Sequence, residues 1–455
     1  MTTETQENAT NRRATLIAAS IGFAMISLDV TIVNVALPTL SDRLHTGLSG
    51  LQWVVDGYTL VFACLLLTGG ALGDRLGARR VFAAGLVLFL LASLACGLAP
   101  NAGVLIAARF AQGAGAAVQM PTSLALVGHV YPEAKERARA VAVWAAVGGA
   151  TLAAGPVLGG LLLSVLDWRW LFLVNVGIGA IALAVTARAT GPRPGPGRKP
   201  DLPGQLLSVL AIGALTYLLI EGPRQGFSSP VVLLAAVVAV LGAAGFVLVE
   251  HRRAEPMLPL SLFRRPTFSA ASAVGFGLNF CFYGTLFLLT LYFQTVRGLS
   301  PLTAGLWFVP MTATVTAANL VGGSLAARFG ARRPLVAGHL VFLVGALALL
   351  VALTGAPDWA LWLAMVPLGT GAGLCVPPVT SALLEATEPA YTGVASGELN
   401  AARQLGGTVG VALFGALLTA GFTAGLRNSL LVAAIVLLAG TLACLRWIGP
   451  RRKTA

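Results

Sequence analysis

Long apolar segments recur along the whole chain of 455 residues. Crossing the hydrocarbon core of a bilayer takes about 20 apolar residues in a helix. The segments are bounded by Gly, Pro and charged residues, and little chain is left over for a soluble domain. The pattern predicts an all-α integral membrane protein with fourteen spans, near residues 15–37, 52–72, 81–99, 104–129, 139–165, 170–189, 204–221, 231–250, 267–295, 302–326, 334–354, 359–384, 393–423 and 428–447.

The composition argues against a soluble globular enzyme. Hydrophobic residues make up 57% of the chain and charged residues 10%, whereas soluble domains carry about 25% charged residues. A net charge of +13 would indicate a nucleic-acid partner in a soluble protein, but this chain has too little polar surface for one. We expect the cation excess to reflect the membrane, because cytoplasmic loops are basic and face anionic lipid headgroups.

The Lys and Arg residues are distributed unevenly between the two membrane faces. If loops alternate between the faces, two cations lie inside spans and most of the 30 lie on the side of the N-terminus, while the opposite side has only Arg43, Arg169, Arg224, Arg297 and Arg427. Cytoplasmic loops are enriched in Lys and Arg, so both termini of this multi-pass cell-membrane protein are predicted to be cytoplasmic. The first 14 residues lack the features of a signal peptide, so the first span is expected to be retained.

Residues that catalyse reactions or bind metals do not occur in clusters. The five Cys and four His residues are scattered singly, without a CxxC pair. Neither a G-x-S-x-G motif nor a phosphate-binding P-loop occurs in the sequence. We therefore expect a protein that is not an enzyme, has no metal or cofactor, and is not driven by ATP.

An internal repeat divides the chain. Residues 69–80 and 322–333, GGALGDRLGARR and GGSLAARFGARR, agree at eight of twelve positions, and each copy follows the second helix of a six-helix set. Parallel repeats of this kind build transporters that bind substrate near the bilayer midplane. The predicted organisation is a tail (1–14), a six-helix half (15–189), a linker (190–203), two extra helices (204–250), a loop (251–266), a second six-helix half (267–447) and a tail (448–455).

Four motifs resemble those of a known family. In chain order they are LDVTIVNVALP (28–38), GALGDRLGARR (70–80), LIAARFAQGAGAA (105–117) and AGPVLGG (154–160). With these motifs the chain resembles the major facilitator superfamily, in particular its fourteen-helix drug:proton antiporter branch. It is also similar to actinobacterial antibiotic exporters, the methylenomycin-resistance type among them, at WVVDGY (53–58), DWRWLFLVNV (167–176), IEGP (220–223) and LNAARQLGG (399–407). The resemblance implies the major facilitator fold and drug export.

Asp29 lies well inside the first span, where an ionised carboxylate costs several kcal/mol unless it is paired or solvated. The opposite directions of the first and fourth spans place Arg109 at a comparable depth, so the two residues are predicted to form an ion pair. In a proton-coupled exporter, such a carboxyl lets the proton and the substrate compete. We predict that Asp29 and Arg109 couple transport to protons; the alternative is a static pair that only fixes helix packing.

Glu398 is a second candidate for proton coupling. It precedes Arg403 by five residues, a spacing that puts the two side chains on different helix faces and predicts a separate partner for each. Two interpretations stay open: Glu398 binds protons or cations, or it extends toward the cytoplasmic interface. Asp56 and Glu221 lie near outer helix ends and are at least as well explained as wetted interface charges, although Asp56 is also a candidate for the outer vestibule.

Gating is predicted in the loop after the second span and in the fifth span. The loop holds Asp74, Arg75, Arg79 and Arg80, which suit a charge network or helix-end contact; the alternative is an ordinary basic loop. The second copy has Ala327 in place of Asp74, so only the first copy can act as a charged latch. The fifth span combines small residues at four-residue spacing with a proline, which suits a close, bent interface between the halves; the candidates are Gly155, Pro156 and Gly159.

Polar side chains inside apolar spans are candidates for substrate contacts. A largely apolar cavity with a few polar groups suits a lipophilic drug better than a sugar. The candidates are Asn34, Asp56, Gln112, Gln119, Asn279, Tyr283 and Asn400.

The sequence thus favours a proton-coupled antiporter that exports small hydrophobic or amphipathic drugs by alternating access. The alternatives are a proton-coupled uptake carrier and a non-transporting membrane sensor with the same fold. The expected partners are a small-molecule drug, protons and membrane lipids, with no nucleic acid and no obligate protein partner.

Overall fold

The computed structural model describes residues 3–192, 194, 201–253, 256–353, 357–388 and 391–449. Within these ranges the chain is helical and forms no strand, which confirms the all-α prediction. A bilayer offers no partner for an unpaired backbone N–H or C=O, so an apolar chain of this kind satisfies them within helices. The first eight helices are α1 (Thr3–Val35), α2 (Leu37–Leu44), α3 (Leu48–Leu76), α4 (Ala78–Gly97), α5 (Ala102–Val130), α6 (Ala134–Val165), α7 (Trp170–Thr186) and α8 (Leu202–Gln225).

Eight further helices complete the described chain. A 3₁₀ turn at Leu260–Arg264 precedes α10, and a π-helical turn at Tyr292–Val296 follows it. The helices are α9 (Pro230–Arg252), α10 (Pro266–Leu291), α11 (Pro301–Trp307), α12 (Val309–Phe329), α13 (Arg332–Ala352), α14 (Asp358–Glu385), α15 (Thr392–Leu418) and α16 (Phe422–Trp447).

Twelve of the described helical stretches, with α11 and α12 counted together, are long and apolar enough to cross a membrane. The other two predicted spans coincide with α5 and α7. Helix α7 is apolar but has 17 residues, and α5 carries the buried polar residues Arg109, Gln112 and Gln119. Every predicted span therefore coincides with helix, as expected of a multi-pass membrane protein.

The helix ends differ from the predicted spans at three places. Helix α1 already begins at Thr3, inside the segment expected to be a tail. The span at 302–326 is interrupted at Phe308, because Pro310 has no N–H to donate and stands in the first turn of α12. The span at 393–423 ends at Leu418, and Gly421 turns the chain with a φ of +112°, a conformation that L side chains rarely adopt.

The chain divides into two compact units, Met1–Leu206 and Leu207–Ala455, with the boundary inside α8. In the first unit, α5 packs on α3 and α4, and α1 packs on α6 and α7. In the second unit, α14 packs on α12 and α13, and α10 packs on α15 and α16. The same set of helix pairs recurs in both units, in agreement with the repeated sequence at 69–80 and 322–333.

Matching glycines set the same close helix approach in each unit. A Cβ atom at Gly113 of α5 would lie 2.4 Å from the carbonyl oxygen of Tyr58, and one at Gly369 of α14 would lie 2.0 Å from that of Met311. Neither position has room for a side chain. Packing through small residues is expected in a membrane. Lipid tails are as apolar as the side chains, so the hydrophobic effect does not drive helix association and close van der Waals contact must do so.

Gly155 and Gly159 of α6 pack against α1. A Cβ atom at Gly159 would lie 2.8 Å from the carbonyl oxygen of Ile32, and one at Gly155 would lie 2.9 Å from the Cβ of Thr31. Their nearest neighbours are therefore on α1, within the same unit. Pro156 is buried within α6, which runs continuously from Ala134 to Val165.

The two extra helices differ in their surroundings. Near the start of α8, Gln205 donates to the carbonyl oxygen of Cys64 at 2.9 Å and accepts a hydrogen bond from the hydroxyl of Thr68. Helix α9 is apolar around its whole circumference, and most of its large side chains are exposed. An apolar surface of this kind is suited to contact with lipid acyl chains.

We expect Gly159→Leu to lower the free energy of unfolding of the purified protein by about 1–3 kcal/mol, and with it the Tm, because the added side chain overpacks the contact with α1. Gly149→Leu on the same helix is the matched control, since a Cβ atom there meets nothing within 4 Å. Thermal unfolding in detergent measures both variants. Equal losses of Tm in the two variants would contradict the packing role of Gly159.

Candidate functional site

The predicted ion pair between Asp29 and Arg109 is present in the first unit. Nη1 of Arg109 on α5 donates to Oδ2 of Asp29 on α1, and the two side chains are 1% and 0% exposed. Buried charges in this position must be matched, because an isolated charge in a low-dielectric interior costs several kcal/mol. The pair therefore ties α1 to α5 in the arrangement seen here.

Arg109 makes further contacts with its neighbours. Its Nε donates to the backbone carbonyl of Val54 at 2.9 Å, and its Nη1 also donates to Oε1 of Gln112 at 2.7 Å. The guanidinium carbon lies 4.4 Å from the ring centroid of Tyr58 and 5.9 Å from that of Phe172. A planar guanidinium can stack on rings and use its edge donors at the same time, so lysine would be a poor replacement here.

The second carboxylate oxygen of Asp29 is bound by two amides. Oδ1 accepts from Nδ2 of Asn175 on α7 at 3.2 Å and from Nε2 of Gln112 at 2.8 Å. Gln112 also donates to Oγ of Ser93 on α4 at 2.9 Å, and Sγ of Cys96 lies 3.6 Å from its Oε1. Helices α1, α3, α4, α5 and α7 thus meet in one polar network, in which three side-chain donors bind the Asp29 carboxyl group.

The sequence identified three members of this network and missed the others. Gln112 was a candidate for substrate contact, whereas here its amide bridges Asp29, Arg109 and Ser93. Asn175 lies in the quoted motif DWRWLFLVNV, and its position as a lone amide in an apolar span was the available signal. The backbone carbonyl of Val54 carried no signal in the sequence.

Asp56 on α3 is fully buried, with 0% of its side chain exposed. In the described part of the chain neither carboxyl oxygen makes a hydrogen bond of regular geometry. The neighbouring Thr59 hydroxyl interacts with the carboxyl and also bonds to the backbone carbonyls of Val55 and Asp56 at 3.4 Å each. The prediction of a wetted interface charge is therefore wrong for Asp56. Glu221 is also buried, and its Oε2 lies 3.4 Å from Nε of Arg224. Their positions near helix ends did not reveal that other parts of the same polypeptide cover these two residues.

Glu398 and Arg403 have separate partners in the second unit, as their spacing predicted. Oε2 of Glu398 accepts from Oγ of Ser272 on α10 at 2.8 Å, and the glutamate is buried. Nη2 of Arg403 donates to the carbonyl oxygen of Val376 and to Oγ1 of Thr380 on α14, both at 3.0 Å. The Glu398 carboxylate is thus held against α10.

The remaining candidates for substrate contact are divided between the two units. Asn34 is buried and donates to the carbonyl of Val30 at 2.9 Å. Gln119 is buried too, and its amide atoms have no hydrogen-bond partner in the described ranges. Asn279, Tyr283 and Asn400 are half-buried in the second unit. Asn400 also bonds locally, to the carbonyl of Ser396 at 2.9 Å, so only this second group keeps accessible surface.

The gating loop forms the short junction between α3 and α4. Asp74, Arg75, Arg79 and Arg80 are exposed there, and the structure records no ion pair for Asp74 with any described residue. Arg79 instead donates from Nε to the carbonyl of Thr186 at 3.2 Å and from Nη2 to that of Ala187 at 2.6 Å. A cation at the last carbonyls of a helix is the favourable arrangement for a helix C-terminus, so Arg79 caps α7.

An apolar cavity of about 440 Å³ lies among α1, α6 and α7 of the first unit. Its walls include Met25 and Leu28, and Leu28 precedes Asp29 in the sequence of α1. Small-molecule pockets commonly have volumes of about 300–1,000 Å³. The cavity can therefore hold an apolar group of moderate size. No three His, Cys, Asp or Glu residues of the described chain are grouped closely enough to hold a metal ion.

Comparison with known sequences gives a consistent result. The profile of the Major Facilitator Superfamily matches residues 19–411. The chain is 42% identical over 441 residues to the "Methylenomycin A resistance protein" of Streptomyces coelicolor, covering 96% of this chain and 93% of the relative. It is 41% identical over 418 residues to the "Multidrug resistance protein Stp" of Mycobacterium tuberculosis, covering 91% and 78%. The "Tetracenomycin C resistance and export protein" of Streptomyces glaucescens is 35% identical over 408 residues, covering 89% and 75%.

Two solved structures share the fold. A bacterial homologue of the human lysosomal transporter Spinster, inward-facing and unoccupied, superposes with a TM-score of 0.67 at 15% identity, covering 98% of this chain and 99% of that chain. The xylose transporter XylE of E. coli, in a partially occluded inward-open conformation, superposes with a TM-score of 0.66 at 14% identity and the same coverage. At these identities the likeness concerns the fold alone.

We expect Asp29→Leu or Arg109→Met alone to destabilise the protein by about 3–5 kcal/mol, because each leaves one buried charge without its partner. The double variant should lose much less than the two single losses combined. Unfolding in detergent of the four proteins of this cycle measures the coupling. The exposed pair Arg12–Glu136, at 3.6 Å, is the control and should show less than about 1 kcal/mol of coupling. Additive losses at Asp29 and Arg109 would contradict a tightly coupled pair.

Proposed function

The chain belongs to the Major Facilitator Superfamily, and we propose that it is a drug-efflux transporter that exports small hydrophobic or amphipathic compounds in exchange for protons, by alternating access. Relatives at 35–42% identity are named for antibiotic resistance, multidrug resistance or export, which supports efflux over uptake. The members named here are transporters, so we propose no catalytic activity for this chain.

The observation that carries the proton-coupling proposal is the buried ion pair of Asp29 and Arg109. A proton on Asp29 removes the negative charge and leaves Arg109 uncompensated, which costs about 3–5 kcal/mol in the present arrangement. A proton gradient supplies about 1.4 kcal/mol per pH unit and about 2.3 kcal/mol per 100 mV. Because the two quantities are of the same order, protonation of Asp29 can drive α1 and α5 toward a different arrangement.

Asp56 supplies a second carboxyl for this function. An unpaired buried carboxylate costs several kcal/mol, so Asp56 needs either a proton or a cationic group beside it. We assign it to the substrate path, where a cationic drug and a proton compete for it. Glu398 is a further proposed proton site, because its single side-chain partner among the described residues, Ser272, is neutral.

Substrate contacts are proposed on the accessible polar residues of the second unit, Asn279, Tyr283 and Asn400. Asn34, Gln112 and Gln119 are buried, so they reach substrate only after the helices of the first unit rearrange. The apolar cavity beside Asp29 supports a hydrophobic substrate, because its walls offer almost entirely apolar surface.

Gating is proposed for the loop at Asp74, Arg75, Arg79 and Arg80. Arg79 holds the end of α7 to the start of α4, so movement of the loop is linked to movement of α7. Gly155, Pro156 and Gly159 supply the close contact of α6 with α1, the helix that carries Asp29. A change at Asp29 can therefore reach α6 through direct packing.

We further propose that the protein lies in the cell membrane with both termini in the cytoplasm, as the distribution of cations indicates. In this organisation, residues 15–189 and 267–447 form the two six-helix halves, and residues 204–250 form the two additional helices. The remaining segments are the cytoplasmic tails (1–14 and 448–455), the linker (190–203) and the loop (251–266); parts of these lie outside the described residues.

We expect Asp29→Asn to abolish drug-driven proton movement in liposomes, because the amide takes up no proton at neutral pH. The measurement imposes a pH gradient, adds a panel of antibiotics and dyes, and follows an internal pH dye. Asp42→Asn, a neutralising change at an exposed position, is the matched control and should behave as wild type. Full coupled flux in Asp29→Asn would refute the coupling role. Binding of a drug without any flux in the wild type would favour a sensor. Movement of the drug in the same direction as the protons would favour an uptake carrier.

For the loop, Asp74→Asn is expected to slow turnover several-fold while leaving the Kd for the drug unchanged, because a gate affects rates of interconversion. Initial rates of export and equilibrium binding of the same drug separate the two effects. An unchanged turnover number would remove Asp74 from the gate.

A further inference from the structure

Arg403 lies in the interior of α15, and none of the described carboxylates forms an ion pair with it. Its two hydrogen bonds to described residues both come from Nη2 and end on neutral oxygens, the carbonyl of Val376 and the hydroxyl of Thr380. Nε and Nη1 donate to no described residue. The side chain is only half-buried, so these donors remain accessible.

The positive charge of Arg403 is permanent, because a guanidinium does not lose its proton in proteins. Glu398 on the same helix is five residues away and is held by Ser272 on α10. No ion pair joins Glu398 and Arg403 in the described structure, in contrast to the direct pair of Asp29 and Arg109. Charges within membrane-spanning helices are costly and pair with opposite charges or backbone carbonyls, so a guanidinium that keeps unused donors is a candidate binding group for an anion.

The surroundings of Arg403 fit an anion with an apolar body. Its stem lies across Gly275 of α10, where a Cβ atom would be 3.5 Å from Cγ and 3.9 Å from Nε of the arginine. Two turns further along α10, Tyr283 interacts electrostatically with Arg403, and its ring would touch a Cβ at Gly407 at 3.0 Å. Phe276, next to Gly275, is half-buried and stacks on Phe280 with centroids 6.3 Å apart.

We propose that Arg403, assisted by the hydroxyl of Tyr283, binds the carboxylate of an amphipathic substrate. Nε and Nη1 each offer a donor to a carboxylate, and a carboxylate that displaces Val376 or Thr380 from Nη2 would form a bidentate pair, the strongest form of charge-assisted hydrogen bond. The aromatic surface of α10 then takes the apolar part of the same molecule. This inference rests on the proposed drug efflux and adds anionic compounds to its substrate class.

A packing role for Arg403 predicts different results. Pro377 and Pro378 interrupt the hydrogen bonds of α14, and Arg403 donates to Val376 just before them. If this contact were its sole role, loss of Arg403 would lower the stability of the protein without changing its preference among ligands of different charge.

The test measures binding of three matched probes to the full-length protein in detergent: 4-octylbenzoate, its methyl ester and 4-octylbenzylamine. The wild type is expected to bind the benzoate about ten-fold more tightly than the ester. Arg403→Gln should remove this preference and leave ester binding unchanged. Arg403→Lys should retain part of the preference, because the charge remains while the bidentate fork is lost. Arg427→Gln, an exposed arginine on α16, is the matched control.

Three results would overturn the proposal: no preference of the wild type for the benzoate, an unchanged preference in Arg403→Gln, or displacement of the benzoate by chloride as effectively as by a second carboxylate. If Arg403→Gln also loses ester binding through misfolding, Tyr283→Phe and Arg403→Lys are used in its place. If the ratio of benzoate affinity to ester affinity is unchanged in both of these variants, the proposal is overturned. The binding measurement uses no proton gradient. Its outcome therefore does not depend on whether the Asp29 experiment shows proton coupling.

Discussion

The ion pair between Asp29 and Arg109 is the interaction on which the first unit is organised. One carboxylate and one guanidinium, both almost completely buried, connect α1 to α5. Further hydrogen bonds of the pair reach α3 and α7 directly, and Gln112 extends the network to α4. Such a pair contributes little net stability when intact, yet its disruption is costly because a lone buried charge remains. This asymmetry suits the proposed proton coupling, in which one proton on one oxygen of Asp29 would change the preferred arrangement of several helices.

The two units share their packing but not their charges. Gly113 and Gly369 make the same close approach on α5 and α14, and four residues before them stand Arg109 in one unit and Met365 in the other. Pairs of glycines on α6 and α15 approach α1 and α10, and three residues before the first glycine stand Leu152 and Arg403. The glycines preserve the repeat because a Cβ would collide with backbone, whereas the charged positions are free to diverge. We infer a division of work, with the proton handled chiefly in the first unit and the substrate anion in the second.

Much of the site followed from the rarity of charge in apolar spans. Asp29 and Arg109 were paired correctly, because helix direction and residue spacing fix the depth of a side chain. Spacing also separated Glu398 from Arg403. Asp56 was misjudged because distance from a helix end measures depth along one axis and does not reveal what packs alongside. The packing of the small face of α6 on α1 was not predicted for the same reason, since a four-residue spacing identifies a close approach without identifying the partner helix.

The sequence by itself determined the all-α membrane architecture, the positions of the helices and the internal repeat, because apolar length and turn residues act locally along the chain. Only the tertiary structure decided which helices meet: that Asn175 and Ser93 complete the network around Asp29, that Arg79 caps α7, and that Arg403 finds neutral partners among the described residues. The physical reason is that hydrogen bonds and charge compensation depend on distances of about 3 Å between helices far apart in sequence, and hydropathy carries no information at that scale.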